Sequence, residues 1–151
     1  MVGRIAAIAV VAVVAGMALS LRDLVLPPPR QVPLPLGDLV LMAWLLALVV
    51  IGWASAQLID PPVRFLVAPA AAVLAVGVAL VAKQVRYPDA PLVGDGFEVL
   101  VLIYAAFGLL GAVLGSMSSL RVRPPERAAG LTAGLIVVTG VLGAVPYILA
   151  R

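Results

Sequence analysis

The seventeen charged residues of this chain leave five long stretches with no charge at all. The stretches run from Ile5 to Leu21, Leu39 to Ile59, Phe65 to Ala82, Val99 to Leu120 and Ala128 to Ala150, and hold 17, 21, 18, 22 and 23 residues. A helix rises about 1.5 Å per residue, so roughly 17–25 apolar residues cross the hydrocarbon core of a bilayer. A charge at the bilayer centre costs at least about 2.5 kcal/mol, and here every charge falls between the stretches. The sequence therefore predicts an all-α integral membrane bundle: five transmembrane helices with short loops, forming a single transmembrane domain over residues 1–151.

Composition closes the soluble alternative. Hydrophobic residues make up 64% of the chain and charged residues 11%, against about a quarter charged in a soluble domain. Too few charges remain to cover the apolar surface, and lipid is the natural solvent. The first stretch, with Arg4 ahead of it, has the make-up of a secretory signal. Ala18-Leu19-Ser20 makes a poor cleavage site, so the segment is read as an uncleaved anchor, with a cleaved signal as the alternative.

Punctuation agrees with these bounds. Asp60-Pro61-Pro62 is expected to cap and open the third helix, with Asp60 as N-cap and proline in the first turn. Asp95 and Glu98 have capping-box spacing ahead of the fourth. Pro124-Pro125-Glu126 opens the fifth, and Asp38 the second. Arg22, Lys83, Arg121 and Arg151 close the first, third, fourth and fifth helices at their negative ends. Pro69 and Pro146 lie inside helices, where each kinks its helix or marks an outer turn. The loop from Arg22 to Asp38 contains Pro27-Pro28-Pro29, Pro33 and Pro35, and is expected to be an extended, polyproline-like connector.

Orientation is not decided by basic residues. With the N-terminus inside, Arg4, Arg64, Arg121, Arg123 and Arg127 face in, and Arg22, Arg30, Lys83, Arg86 and Arg151 face out, five on each side. Arg4 ahead of the first span, and the gathering of acids on the opposite side, favour N-in and C-out. The expected location is the cytoplasmic membrane of a prokaryote.

Several chemistries are excluded outright. The chain has no Cys and no His, so thiolate nucleophiles, Cys-ligated clusters, His-ligated haem and His acid–base catalysis are absent. No cofactor or metal is expected; Asp89, Asp95 and Glu98 are acidic neighbours whose spacing matches no cation loop. Nucleic acid is not an expected partner, because the net charge of +3 is not clustered on a face. The one dense basic run, Arg121, Arg123 and Arg127, sits between two apolar stretches and is read as a lipid-headgroup contact.

Small residues recur at four-residue spacing. Gly111-x-x-x-Gly115-x-x-x-Ser119, Gly130-x-x-x-Gly134, Gly52-x-x-x-Ala56 and Ala12-x-x-x-Gly16-x-x-x-Ser20 each place small groups on one helix face. Such faces let backbones approach closely, either inside the bundle or against a partner. Trp44 and Trp53, towards opposite ends of the second stretch, and Phe65 and Tyr87 at span ends, suit an aromatic belt. Ser55, Gln57, Tyr104, Ser116, Thr132 and Thr139 are the polar groups nearest span interiors, and they are expected to satisfy helix backbones or bond between helices.

With no catalytic group in evidence, the chain is expected not to be an enzyme. It reads as a non-catalytic accessory or scaffolding subunit of a larger membrane complex, in energy transduction, transport or the cell envelope. Its partners are then the lipid bilayer and other membrane proteins or copies of itself. The alternative is a small homo-oligomeric transporter or channel for a small solute, with Pro69, Pro146 and the fourth-helix glycines bending helices around a site. An interfacial enzyme using Asp38, Asp95 and Glu98 is a third and weaker reading.

Overall fold

A computed structural model describes residues 1–25, 34–89, 97–117, 130–134, 136–138 and 141. These residues are helical apart from short turns, with no strand among them. Four helices are defined end to end: α1 (Val2–Val25), α2 (Leu34–Leu58), α3 (Arg64–Arg86) and α4 (Phe97–Met117). Residues 130–134, 136–138 and 141 are also helical, and are labelled α5. Among the described residues, three helices are long and apolar enough to cross a membrane, over Leu41–Leu58, Arg64–Arg86 and Phe97–Met117; Val2–Ala18 forms a shorter apolar helical segment.

The helices outrun the charge-free stretches at several ends. α1 continues to Val25, past Arg22 and Asp23, and α2 begins at Leu34, ahead of Asp38. The Arg22–Asp38 connector is therefore helical at both ends rather than extended throughout; its residues 26–33 lie outside the described part. α3 runs on to Arg86, where the Tyr87 N–H donates to the Lys83 carbonyl. The physical reason is simple. A charge marks where the chain leaves hydrocarbon, whereas the backbone ladder continues into the interface until its carbonyls find water.

Asp60 does not act as the expected cap. α3 starts at Arg64, its N-cap Val63 has helical dihedrals, and no side chain caps it. Three residues separate Asp60 from Arg64, and Pro61 and Pro62 offer its carboxylate no N–H to accept from. Its backbone carbonyl accepts from Arg64 N–H at 3.4 Å, and its carboxylate pairs with Arg4 at 3.6 Å. Arg4 also donates to the Leu58 carbonyl at 3.3 Å, which sets the start of α1 beside the end of α2. Pro69 does not break α3, which is continuous across it. It lies in the second turn, where its missing N–H costs one bond near the helix end.

Packing does not follow chain order. α1 packs mainly on α3 and α2 mainly on α4, α3 bridges to both α2 and α4, and α1 does not reach α4. Alternate helices run the same way, so each closest pair is parallel. α3 is the hub. Its buried residues are Ala68, Ala71, Ala72, Ala75, Val76, Ala79 and Ala82, a helical stripe composed almost entirely of alanine. Around it the core contains Ile8, Ala12, Leu48, Ile51 and, from α5, Ile136. Large apolar side chains instead face outward, among them Val10, Met42, Leu66, Leu102, Leu109 and Val113. A core made mostly of small residues, with most large ones outside, suits a lipid solvent, in which close backbone approach more than burial of big side chains drives helix association.

Candidate helix-packing interface

α4 buries only Gly108, Gly111, Ala112 and Gly115. These lie at i, i+3, i+4 and i+7, on one face of the helix. Their partner is the Gly52 face of α2. A Cβ added at Gly52 would overlap the Gly108 carbonyl oxygen, and one added at Gly111 would overlap the Val49 carbonyl oxygen. One Cα–H bond of each glycine therefore points at a carbonyl of the other helix, the arrangement of a Cα–H···O contact worth about 0.5–1 kcal/mol. At Gly115 an added Cβ would lie 2.7 Å from the Ala56 Cβ and 3.1 Å from the Trp53 carbonyl. Gly52, Ala56, Gly111 and Gly115 are thus brought together in one parallel α2–α4 interface inside the chain.

Two further glycines extend this packing. A Cβ at Gly108 would come within 2.7 Å of the Ala72 Cβ and 2.8 Å of the Ala68 carbonyl, and one at Gly16 would overlap the Ala75 carbonyl. Gly108 thus sits where α2, α3 and α4 meet. The motifs read from the sequence do not include it, although Gly108-x-x-x-Ala112 has the same four-residue spacing as Gly52-x-x-x-Ala56, and its seven-residue interval to Gly115 keeps the same face.

Gly130 and Gly134 behave differently. Both are exposed, and an added Cβ would meet nothing within 4 Å at either. Ser119, Arg121, Arg123 and Arg127 lie outside the described residues, as do Asp95, Thr139 and Pro146.

Three serine hydroxyls within the helices are tied to their own backbones. Ser55 Oγ donates to the Ile51 carbonyl at 3.0 Å and Ser116 Oγ to the Ala112 carbonyl at 2.6 Å. Ser20 Oγ donates to the Met17 carbonyl at 3.0 Å. Trp44, Trp53 and Tyr104 are half-buried against the core, so the tryptophans contribute to packing as well as standing near the span ends. Arg–aromatic pairs mark both ends of α3: the Arg64 guanidinium lies 5.1 Å from the Phe65 ring centroid, and that of Arg86 5.9 Å from the Tyr87 ring. Asp89 and Glu98 are exposed.

Among the described residues, a concavity of about 380 Å³ lies at the Arg4 end, between Met1, Arg4, Asp60 and Val63. Another, of about 500 Å³, is an apolar groove along α3 that includes Met17, Leu74, Gly77, Val78 and Val81. Comparison with protein-family models, curated proteins and solved structures finds no match for this chain.

Proposed function

We propose that this chain is a five-span membrane protein that acts as a non-catalytic accessory or scaffolding subunit of a larger membrane assembly. The observation that carries the reading is α4. Its buried face consists of three glycines and one alanine locked against neighbouring helices, while Leu102, Leu109, Leu110, Val113 and Leu114 project outward. A helix fixed this closely on one side offers a rigid apolar wall on the other. Such a wall suits lipid and neighbouring membrane helices, not a dissolved substrate.

The remaining spans in this reading are α1 and α5. Arg4, Asp60 and Arg64 then lie at one membrane face, and Lys83, Arg86, Asp89 and Glu98 at the other. We place the first group on the inside of a prokaryotic cytoplasmic membrane, with the C-terminus outside. The transporter alternative has less behind it, since α3 continues unbroken through Pro69 and the Ser55 and Ser116 hydroxyls are spent on their own helices.

The test is purification of the native protein in mild detergent, with identification of what accompanies it. Stoichiometric recovery of other membrane proteins is expected. Recovery only as an isolated, stable homo-oligomer overturns the accessory role.

A further inference from the structure

The parallel contact of α2 with α4 has a counterpart in the sequence. Gly52-x-x-Ser55, followed by Pro61-Pro62-x-Arg64, reappears 63 residues later as Gly115-x-x-Ser118, followed by Pro124-Pro125-x-Arg127. The same offset aligns Ala70 with Ala133, Gly77 with Gly140 and Val78 with Val141. These are eight identities in 27 positions, and they keep the double proline and its arginine in register. The unit α2–α3 is thus repeated as α4–α5. Two crossings separate equivalent helices, so the repeats share one orientation, as parallel repeats about an axis along the membrane normal do.

Equivalent helices in this chain differ in what covers them. On α3, Ala71 and Ala75 are buried, and the parallel helix α1 lies against that side, with Gly16 set on the Ala75 carbonyl and the Val78 side chain. Their repeat counterparts on α5 are Gly134, Val138 and Val141. All three are exposed, Val138 at 54% and Val141 at 59%. Together with Gly130 they fall within an arc of about 80° on the helix, and Thr132 and Ile136, which are buried, lie on the opposite side. So α5 turns its glycine face outward, as α3 does at Gly77 alone, whereas Gly16, Gly52, Gly108, Gly111 and Gly115 each sit against another helix.

We infer that this face of α5 is a homodimer interface, covered by the α5 of a second copy. The repeat indicates the kind of occupant: the equivalent face of α3 receives a parallel helix. A two-fold axis along the membrane normal supplies one, because it sets two α5 helices parallel and places Gly130 and Gly134 of each against the other. A symmetric contact of this kind closes at two subunits. The inference rests on the reading that α5 spans the bilayer, but not on any further partner.

The chain has no cysteine, so single-cysteine variants report the contact directly. Val138→Cys and Val141→Cys, oxidised in native membranes, are expected to give a disulfide-linked species of twice the 15.5 kDa chain mass. Leu109→Cys, on the outward face of α4, is expected to give at least tenfold less. Adding Gly134→Leu to Val138→Cys should reduce the cross-link several-fold at unchanged protein level. Equal cross-linking at Leu109→Cys, an adduct of another mass at Val138→Cys, or no cross-link at either valine overturns the inference. Co-purifying partners without the cross-link remove the dimer and leave the accessory role standing; the cross-link without partners does the reverse.

Discussion

Replacing Gly52 by alanine tests the helix packing at its tightest point. The new methyl group would overlap the Gly108 carbonyl oxygen and lie 2.9 Å from the Ala112 backbone nitrogen. Both obstacles are backbone, so no side chain can swing away and α2 must part from α4. A gap of about 1 Å forfeits up to half of each dispersion well of about 0.1–0.2 kcal/mol. Over the interface this approaches the about 1–3 kcal/mol typical of an overpacked core. Loss of the Gly52 Cα–H···O contact adds about 0.5–1 kcal/mol, and the better helix propensity of alanine returns up to about 1 kcal/mol. The net expectation is a destabilisation of about 2 kcal/mol, or roughly 4–8 °C in midpoint for a chain of this size. Gly77→Ala is the matched control, because a Cβ there meets nothing within 4 Å; it should be neutral or slightly stabilising. Thermal unfolding of both variants in one mild detergent measures the difference. If Gly52→Ala melts with Gly77→Ala, the two helices are not in backbone contact and the packing argument fails. Gly52→Ala combined with Gly111→Ala should cost less than the sum of the two, since the first substitution already separates the helices.

Ser55→Ala should change stability by less than about 1 kcal/mol in the same melt, because the hydroxyl bonds only its own helix at Ile51. Leu110→Arg should reduce membrane integration sharply, with an insertion penalty of about 2.5–3.5 kcal/mol at mid-span, whereas Leu110→Ile should integrate normally; alkali-resistant membrane association reads both. Asp60→Cys and Asp89→Cys, at opposite ends of α3, should react with an impermeant maleimide from opposite sides of sealed vesicles, and labelling from one side would remove α3 as a span.

Much of the helical layout was legible in the chain, because lipid imposes a severe rule: charges stay out and backbones close their own hydrogen bonds. That rule locates α2, α3 and α4 from Asp38, Asp60, Arg64, Lys83, Glu98 and Arg121 alone. It does not locate helix ends, since Arg86 and Asp38 are helical although charged. Nor does it tell a cap from a turn, which is why Asp60 looked like the former. Four-residue spacing found Gly52, Gly111 and Gly115 but could not say that they meet each other, because parallel pairing of alternate helices is a tertiary property. The repeat was present in the sequence throughout, yet scattered glycine and alanine identities carry little weight in a chain this rich in both. The parallel α2–α4 contact gave them meaning.

That contact also explains why glycine is spent so unevenly. In water, a helix gains by burying leucine and valine, and glycine inside it only costs propensity. In lipid, an outward leucine loses nothing, so large residues have no reason to turn inward. What remains to hold helices together is contact area, and area at a helix crossing grows as the backbones approach. Glycine at Gly52, Gly108 and Gly111 gives that approach, and each of the three meets backbone of a neighbouring helix. By the same logic a glycine turned to lipid gains neither contact nor packing. Gly130 and Gly134 are exposed on α5, and a second helix against them would give them the contact that Gly52, Gly108 and Gly111 have.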